Sequence, residues 1–189
     1  MQGVDLKKRV LQEFRGLAPK LQKSPIYLAL SAGKDSSVLA RIVLSLRDQL
    51  PPVNFIHVNY RLRRPDSDRE ESFLRDWAKR EGVPIHVLTL AARKKKPRNL
   101  QAWAREQRLN FFHEVLEEAS QSQASLWLAH HAQDQAETIL ERILRGSGMK
   151  GLAGMKPFEA LHRIGEKKLR RPLQLFRPLL KVPQEAILY

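Results

Sequence analysis

The chain of 189 residues contains no cysteine. That absence excludes a disulfide framework, thiolate-bound zinc, an iron–sulfur cluster and any thiol or persulfide chemistry. Long apolar runs are also missing, and no stretch approaches the length of a membrane span. The opening MQGVDLKKRVLQEF carries charges every few residues without an apolar centre, so no secretory signal is expected there. A soluble cytoplasmic protein, with no membrane partner, is the expectation. Acidic residues are scarce: 20 Asp and Glu stand against 34 Lys and Arg, a net charge of +14. Such an excess favours a polyanionic partner, because phosphates release counterions when Lys and Arg neutralise them.

What is present reads as one α/β domain spanning 1–189. The hydrophobic content of 42% supports a core that needs no covalent staple at this length. Short β-rich runs alternate with helical patterns. Ile26–Leu30, Val53–Val58, Pro84–Leu90 and Ser125–Ala129 have strand length and composition. Between them, about Ser36 to Leu50, Ser67 to Gly82 and Asn99 to Ser120 carry apolar residues at helical spacing, and a further helix is expected from about Gln133 to Leu144. Four βα alternations predict a parallel sheet with helices on both faces, a Rossmann-like arrangement whose ligands bind at the carboxyl ends of the strands. The βα core is expected over 20–146. Residues 147–189 read as a Gly-rich, then basic, extension with a short helix from Pro183.

Two nucleotide signatures can be set aside. A Walker A loop does not occur, and the literal G-x-G-x-x-G at Gly146, Gly148 and Gly151 follows a helix instead of a strand. The first strand instead runs into Ser31-Ala32-Gly33-Lys34-Asp35-Ser36-Ser37. A turn of small residues at a helix N-terminus offers backbone N–H groups and a positive dipole end, which suits a phosphate. Asp35 would repel a phosphate unless a cation lay between them, which points to Mg²⁺ on a nucleotide. An ordinary capped βα loop is the plainer reading of the same residues.

After the fourth strand comes His131-x-x-Asp134-x-x-Glu137, whose spacing lays the three side chains along one helical face. Acidic residues in a first helical turn also simply favour the dipole. Arg105 and Arg108 lie one turn apart on the long helix, where a solvated basic face is the commoner outcome. Two basic stretches, Arg93 to Arg98 and Arg163 to Arg171, are candidate contacts to a phosphate backbone.

Ser31 to Ser36 resembles the PP-loop, S-G-G-x-D-S, of the N-type ATP pyrophosphatases, which cleave ATP between the α and β phosphates. Further segments resemble the tRNA(Ile)-lysidine synthetases of that superfamily: His57 to Arg63, Asn99 to Arg108, Ala129 to Thr138, Leu144 to Gly148, and Arg177-Pro178-Leu179-Leu180. They follow in family order from about residue 26 to 183. The resemblance implies an adenine-nucleotide α-hydrolase-like fold and a ligase acting on the wobble cytidine of a CAU-anticodon tRNA(Ile), using ATP, Mg²⁺ and L-lysine. It implies that Ser31, Ala32, Gly33, Lys34, Asp35 and Ser36 bind ATP and that Asp35 holds Mg²⁺. Asp35, His131 and Asp134 become catalytic candidates. Glu137, Arg105, Arg108 and Arg177 become candidates for lysine or tRNA, with Arg177 on the lysine carboxylate. Two residues depart from the pattern. Ala32 replaces a glycine, at a cost if the position needs positive φ, and Gln133 stands where an acid is frequent. The end at Tyr189 is expected to leave the catalytic domain short of the family's usual extent. A non-catalytic nucleotide- or tRNA-binding module and a sulfur-transferring relative are the alternatives, the latter disfavoured by the missing cysteines.

Overall fold

The computed structural model describes residues 5–17, 19–91, 99–119, 124–144 and 153–187. The basic run Arg93 to Arg98 and the glycines at 146, 148 and 151 lie outside the described residues.

Two helices, α1 (Leu6–Arg15) and α2 (Pro19–Gln22), precede the first strand. The alternation that follows is β1 (Ile26–Leu30), α3 (Lys34–Ser45), β2 (Val53–Asn59), α4 (Asp66–Glu81), β3 (Ile85–Thr89), α5 (Leu100–Ala119), β4 (Ser125–Trp127) and α6 (Ala132–Leu144). Local chemistry sets several of these boundaries. Asp5 caps α1 by accepting from the Lys8 N–H at 3.1 Å, and Asn99 accepts from the Ala102 N–H at 3.0 Å to open α5. Acidic Asp66 and Asp68 begin α4, and basic Lys79 and Arg80 end it, matching the helix dipole at both ends. The left-handed Gly82, at φ 65°, then terminates α4. The helix expected to reach Leu50 is shorter, since α3 stops at Ser45 and a 3-10 turn covers Arg47–Gln49.

Residues 153–187 add to the sheet. The described part of the Gly-rich, then basic, extension contributes two strands, β5 (Phe158–Ile164) and β6 (Lys167–Phe176), before the short helix expected from Pro183, α7 (Gln184–Ile187). The sheet order is β3-β2-β1-β4-β6-β5, parallel throughout except for β5, which pairs antiparallel with β6 at the edge. Burial explains why β6 belongs inside. Leu173, Leu175 and Phe176 are buried, and Trp127 of β4 meets Phe176 edge-on at 4.8 Å, a contact worth about 1 kcal/mol beyond its area.

Strand alternation divides the core into two layers. Ile26, Leu28 and Leu30 face a cluster that includes Val10 and Phe14 of α1, Leu39 and Val43 of α3, and Leu74 and Trp77 of α4. Tyr27, Ile56 and Val58 face the other way, onto Leu109, Phe112 and Leu116 of α5. A fully buried Leu or Ile contributes about 2 kcal/mol, so both layers are needed to hold a sheet sandwiched in this way. The order reverses between β1 and β4, which places the topological switch point there.

Candidate active site

At the carboxyl ends of β1, β2, β4 and β6 the structure holds a cavity of about 420 Å³. Its floor is the turn after β1. Gly33 starts α3 without a side-chain cap, so the first-turn N–H groups of the helix stay open toward a ligand. The Ser36 hydroxyl accepts from the Ser31 N–H at 3.2 Å and donates to the Gly33 carbonyl at 3.0 Å, which curls the turn around the helix end. Ala32 has φ 57°, the left-handed conformation that glycine adopts without strain and alanine at a cost of about 1 kcal/mol. The turn keeps that shape despite the substitution. A Cβ on Gly33 would lie 3.2 Å from the Ser31 hydroxyl, so the second small residue is set by close approach.

Asp35, in the first turn of α3, has one carboxylate oxygen, Oδ1, buried with no hydrogen-bond partner. The other, Oδ2, lies 3.8 Å from Nε2 of His131. An orphaned carboxylate oxygen beside an open helix N-terminus fits Mg²⁺, which takes one or two carboxylates and completes its shell from phosphates and water. Among the described residues no cluster of three or more His, Asp or Glu side chains forms a metal cage of its own.

The start of α6 approaches from the neighbouring strand end. Asp134 Oδ2 accepts from the His131 N–H at 2.8 Å, reaching back as a capping box does. Nδ1 of His131 accepts from the Gln133 N–H at 3.2 Å, which leaves the ring proton on Nε2, between Asp134 at 3.5 Å and Asp35 at 3.8 Å. The three catalytic candidates are thus one cluster, and Asp134 serves both as cap and as cavity wall. Glu137, the third member of the spacing, is exposed on α6 and does not line the cavity.

Arg105 and Arg108 of α5 line the opposite wall. Desolvation and then the like charges of Arg108 and Arg177 lower the pKa of Arg105, the crowding expected where an anion is to be received. Sequence reasoning did not single out Arg61 and Arg63, which join this wall from the loop after β2. That loop is anchored by Asn59, buried at the end of β2. Its amide donates to Asp68 and Glu71, each at 2.9 Å, and accepts from the Arg61 N–H at 2.8 Å. Arg61 itself sits at φ 51°. His57 is buried, and its Nδ1 donates to the Leu30 carbonyl at 2.8 Å, tying β2 to the entry of the turn; burial lowers its pKa.

Arg177 lines the cavity at the end of β6. It is 3% exposed, and it donates through Nε to His130 Nδ1 at 3.1 Å, through Nη1 to the Lys156 carbonyl at 2.8 Å and through Nη2 to Glu159 at 3.0 Å. Three of its N–H groups thus brace β4, β5 and β6 against one another, while the residue also lines the cavity. Burial, then the Arg177 charge, lowers the pKa of His130 to about 4. The basic stretch from Arg163 to Arg171 lies away from the cavity. It occupies the end of β5, the hairpin turn and the first half of β6, so that along β6 it runs from roughly 30 Å at Lys167 to roughly 16 Å at Arg171 from the strand end at Phe176.

Residues 6–189 match the family model described as the PP-loop domain. The chain is 35% identical over 163 residues to a tRNA(Ile)-lysidine synthase of Streptococcus equi subsp. zooepidemicus, covering 86% of this chain and 34% of that protein. It is 35% identical to the namesake of Chlamydia caviae over 88% of this chain and 48% of that protein. With that of Alkalilimnicola ehrlichii it shares 37% identity over 85% of this chain and 33% of that protein. The chain therefore spans a third to a half of the length of these curated relatives. Among solved structures, a U34-tRNA thiolase, NcsA, from Methanococcus maripaludis superposes with a TM-score of 0.71 at 18% identity, over 97% of this chain and 61% of that one. An NH3-dependent NAD synthetase from Campylobacter jejuni superposes at 0.56 and 10% identity, over 99% and 71%. These two likenesses speak for the fold.

Proposed function

The chain belongs to the PP-loop domain family, and we propose that it activates the wobble cytidine of a CAU-anticodon tRNA(Ile) with ATP and couples it to L-lysine. The observation that carries this reading is the convergence at one cavity of an uncapped helix N-terminus, the carboxylates of Asp35 and Asp134 with buried His131 between them, and the Arg105–Arg108 wall.

The chemistry accounts for each part. The C2 oxygen of cytosine is a poor leaving group, so it first attacks the α-phosphorus of ATP. A P–O bond forms, and pyrophosphate departs with the electron pair of the broken bond. The open N–H groups of α3 and the Ser31 hydroxyl receive the leaving pyrophosphate, where charge accumulates. Asp35 would hold Mg²⁺, which neutralises phosphate charge when bound. The lysine ε-amine then attacks C2, the C2–O bond breaks, and AMP leaves. An alkyl ammonium with an ordinary pKa of about 10.4 must shed a proton to attack. Solvent takes that proton before the attack; Asp134 orients the amine and accepts the second proton, shed as nitrogen bonds to C2, its other oxygen being fixed by the His131 N–H. Arg105 and Arg108, with Arg61 and Arg63, receive the phosphates flanking a base splayed from the anticodon loop.

The deciding experiment incubates the full chain with ATP, Mg²⁺, radiolabelled lysine and a tRNA(Ile) transcript bearing the CAU anticodon. Lysine should enter the transcript with one AMP and one pyrophosphate per event, and a transcript carrying U at the wobble position should accept none. ATP hydrolysis indifferent to the transcript, or no incorporated lysine, rejects the reading.

A further inference from the structure

We propose that His130, its ring locked by Arg177 into the tautomer with hydrogen on Nε2, gives a hydrogen bond through that N–H to the oxygen linking C2 to phosphorus in the adenylated base. Arg177 is then its positioning residue. The proposal rests on the function above and assigns a donor to its second step.

The tautomer follows from valence. A guanidinium Nε–H can only donate, so His130 Nδ1 must be the acceptor in their 3.1 Å contact. An uncharged ring in that position carries its hydrogen on Nε2. His130 lines the cavity, and among the described residues Nε2 has no partner within the chain and is not sealed away from it. A donor is thereby presented to whatever occupies the cavity.

The ring is held uncharged from several sides. Burial and the Arg177 charge act first against the imidazolium, and Arg108 and Arg105 of α5 add to them, while Asp134 of α6 opposes them. A cationic proton donor is therefore not available at neutral pH, and the leaving group does not call for one. AMP departs as a phosphate whose second ionisation lies near 6, so it needs a hydrogen bond as charge develops rather than a whole proton. In the step, the amine nitrogen bonds to C2, the C2–O electron pair passes to the phosphate oxygen, and the amine proton goes to Asp134. His130 keeps its hydrogen throughout. Position agrees with this role. His130 adjoins His131, whose Nε2 stands between Asp35, on the pyrophosphate side, and Asp134, on the amine side. His130 lines the same cavity as Asp35 and Asp134, which places its Nε2–H for the oxygen joining those two halves of the reaction.

Arg177 can hold this arrangement because it is itself held. Glu159 of β5 and the Lys156 carbonyl fix the other two nitrogens, so the guanidinium has one orientation. That explains what the β5–β6 hairpin contributes to a cavity its turn does not reach.

The test measures lysine transfer and tRNA-dependent ATP–pyrophosphate exchange separately in H130A, H130Q and R177Q, with melting curves to confirm folding. Loss of one donor to developing charge costs about 10²-fold or more. H130A should slow transfer by that factor while exchange falls far less, and H130Q, whose amide donates, should recover at least tenfold. R177Q should introduce an ionisation near pH 6 into the transfer profile, which a merely structural defect would not do. Transfer by H130A at the wild-type rate, or equal losses in both steps, overturns the proposal. Should wild type incorporate no lysine, the parent reading fails. The donor is then judged by ¹⁵N NMR of His130 with AMP as probe. Hydrogen on Nε2 at pH 7 and an AMP-dependent shift of that signal sustain it; hydrogen on Nδ1, an imidazolium, or no shift overturns it.

Discussion

Nε2 of His131 lies 3.8 Å from Oδ2 of Asp35, joining the helix that follows β1 to the helix that follows β4 across the switch point of the sheet. The two residues are far apart in sequence, yet the parallel pairing of Ile26 with Ser125 and Leu28 with Trp127 brings their strand ends together. The contact leaves Asp35 Oδ1 unpartnered and buried. A carboxylate so placed is costly unless a ligand or cation completes it.

Asp35→Ala should therefore abolish ATP use while sparing tRNA affinity. A loss of about 10²-fold or more in tRNA-dependent ATP–pyrophosphate exchange is expected, with tRNA binding by filter assay within about threefold, given the sequence-independent source of most RNA affinity. Exchange at the wild-type rate removes Asp35 from the site.

Ala32→Gly should stabilise the chain. Relief of the left-handed strain at φ 57° is worth about 1 kcal/mol, and the added freedom of the unfolded glycine takes back part of it. Urea denaturation should show a gain of up to about 1 kcal/mol. A loss of stability would show that the Ala32 methyl contributes more by packing against the core beside α3 than its strain costs.

His130 makes stability depend on pH. Its folded pKa of about 4 lies below the ordinary 6.5. The unfolded chain thus binds a proton at this ring that the folded chain refuses, so its contribution is complete above pH 6.5 and is lost as the pH falls toward 4. Between pH 7 and pH 5 the loss amounts to about 2 kcal/mol at most. Urea unfolding at the two pH values should show wild type losing more than H130Q by that order. Equal losses would mean that the ring titrates normally in the folded state.

Asn59→Ala removes one side chain with three partners in the loop that carries Arg61 and Arg63. Stranding buried groups costs about 1–3 kcal/mol. The fold should persist with a lowered melting temperature, and tRNA affinity should drop as the loop loses its anchor. Unchanged affinity in a destabilised variant would separate the loop from tRNA contact.

Arg105→Ala tests the wall of the cavity. Removal of one phosphate contact should weaken tRNA binding and reduce the slope of log affinity against log salt by about 1. An unaltered slope assigns Arg105 to a nucleotide phosphate inside the cavity instead.

Local chemistry made much of this legible beforehand. The run Ile26–Leu30 followed by small residues reads as strand and turn without any tertiary information, and Asp35 is out of place in a bare phosphate loop on charge alone. His131 and Asp134 share a helix face by spacing, and they do meet. Glu137 shares the same spacing, yet the angular drift of the helix carries it to the exposed side. Arg177 was singled out only through the resemblance of Arg177-Pro178-Leu179-Leu180, and its bracing partners were not legible because they come from β5 and from beyond the end of β4. The basic stretch on the hairpin hid a strand. Lys167, Lys168, Arg170 and Arg171 are exposed on β6, and their charge hides the buried run Leu173, Leu175 and Phe176 that follows.

By itself, the sequence determined the alternation of strand and helix, the turn that opens α3, and the excess of positive charge. Each is written in neighbouring residues or in a sum, and neither needs a distant partner. Only the tertiary structure decided that β6 inserts between β4 and β5, that Arg177 is spent on His130 and Glu159, and that Asp35 meets His131. The reason is physical. Strand pairing and side-chain hydrogen bonds join residues distant in sequence, and their geometry exists only after both apolar layers have closed on the sheet.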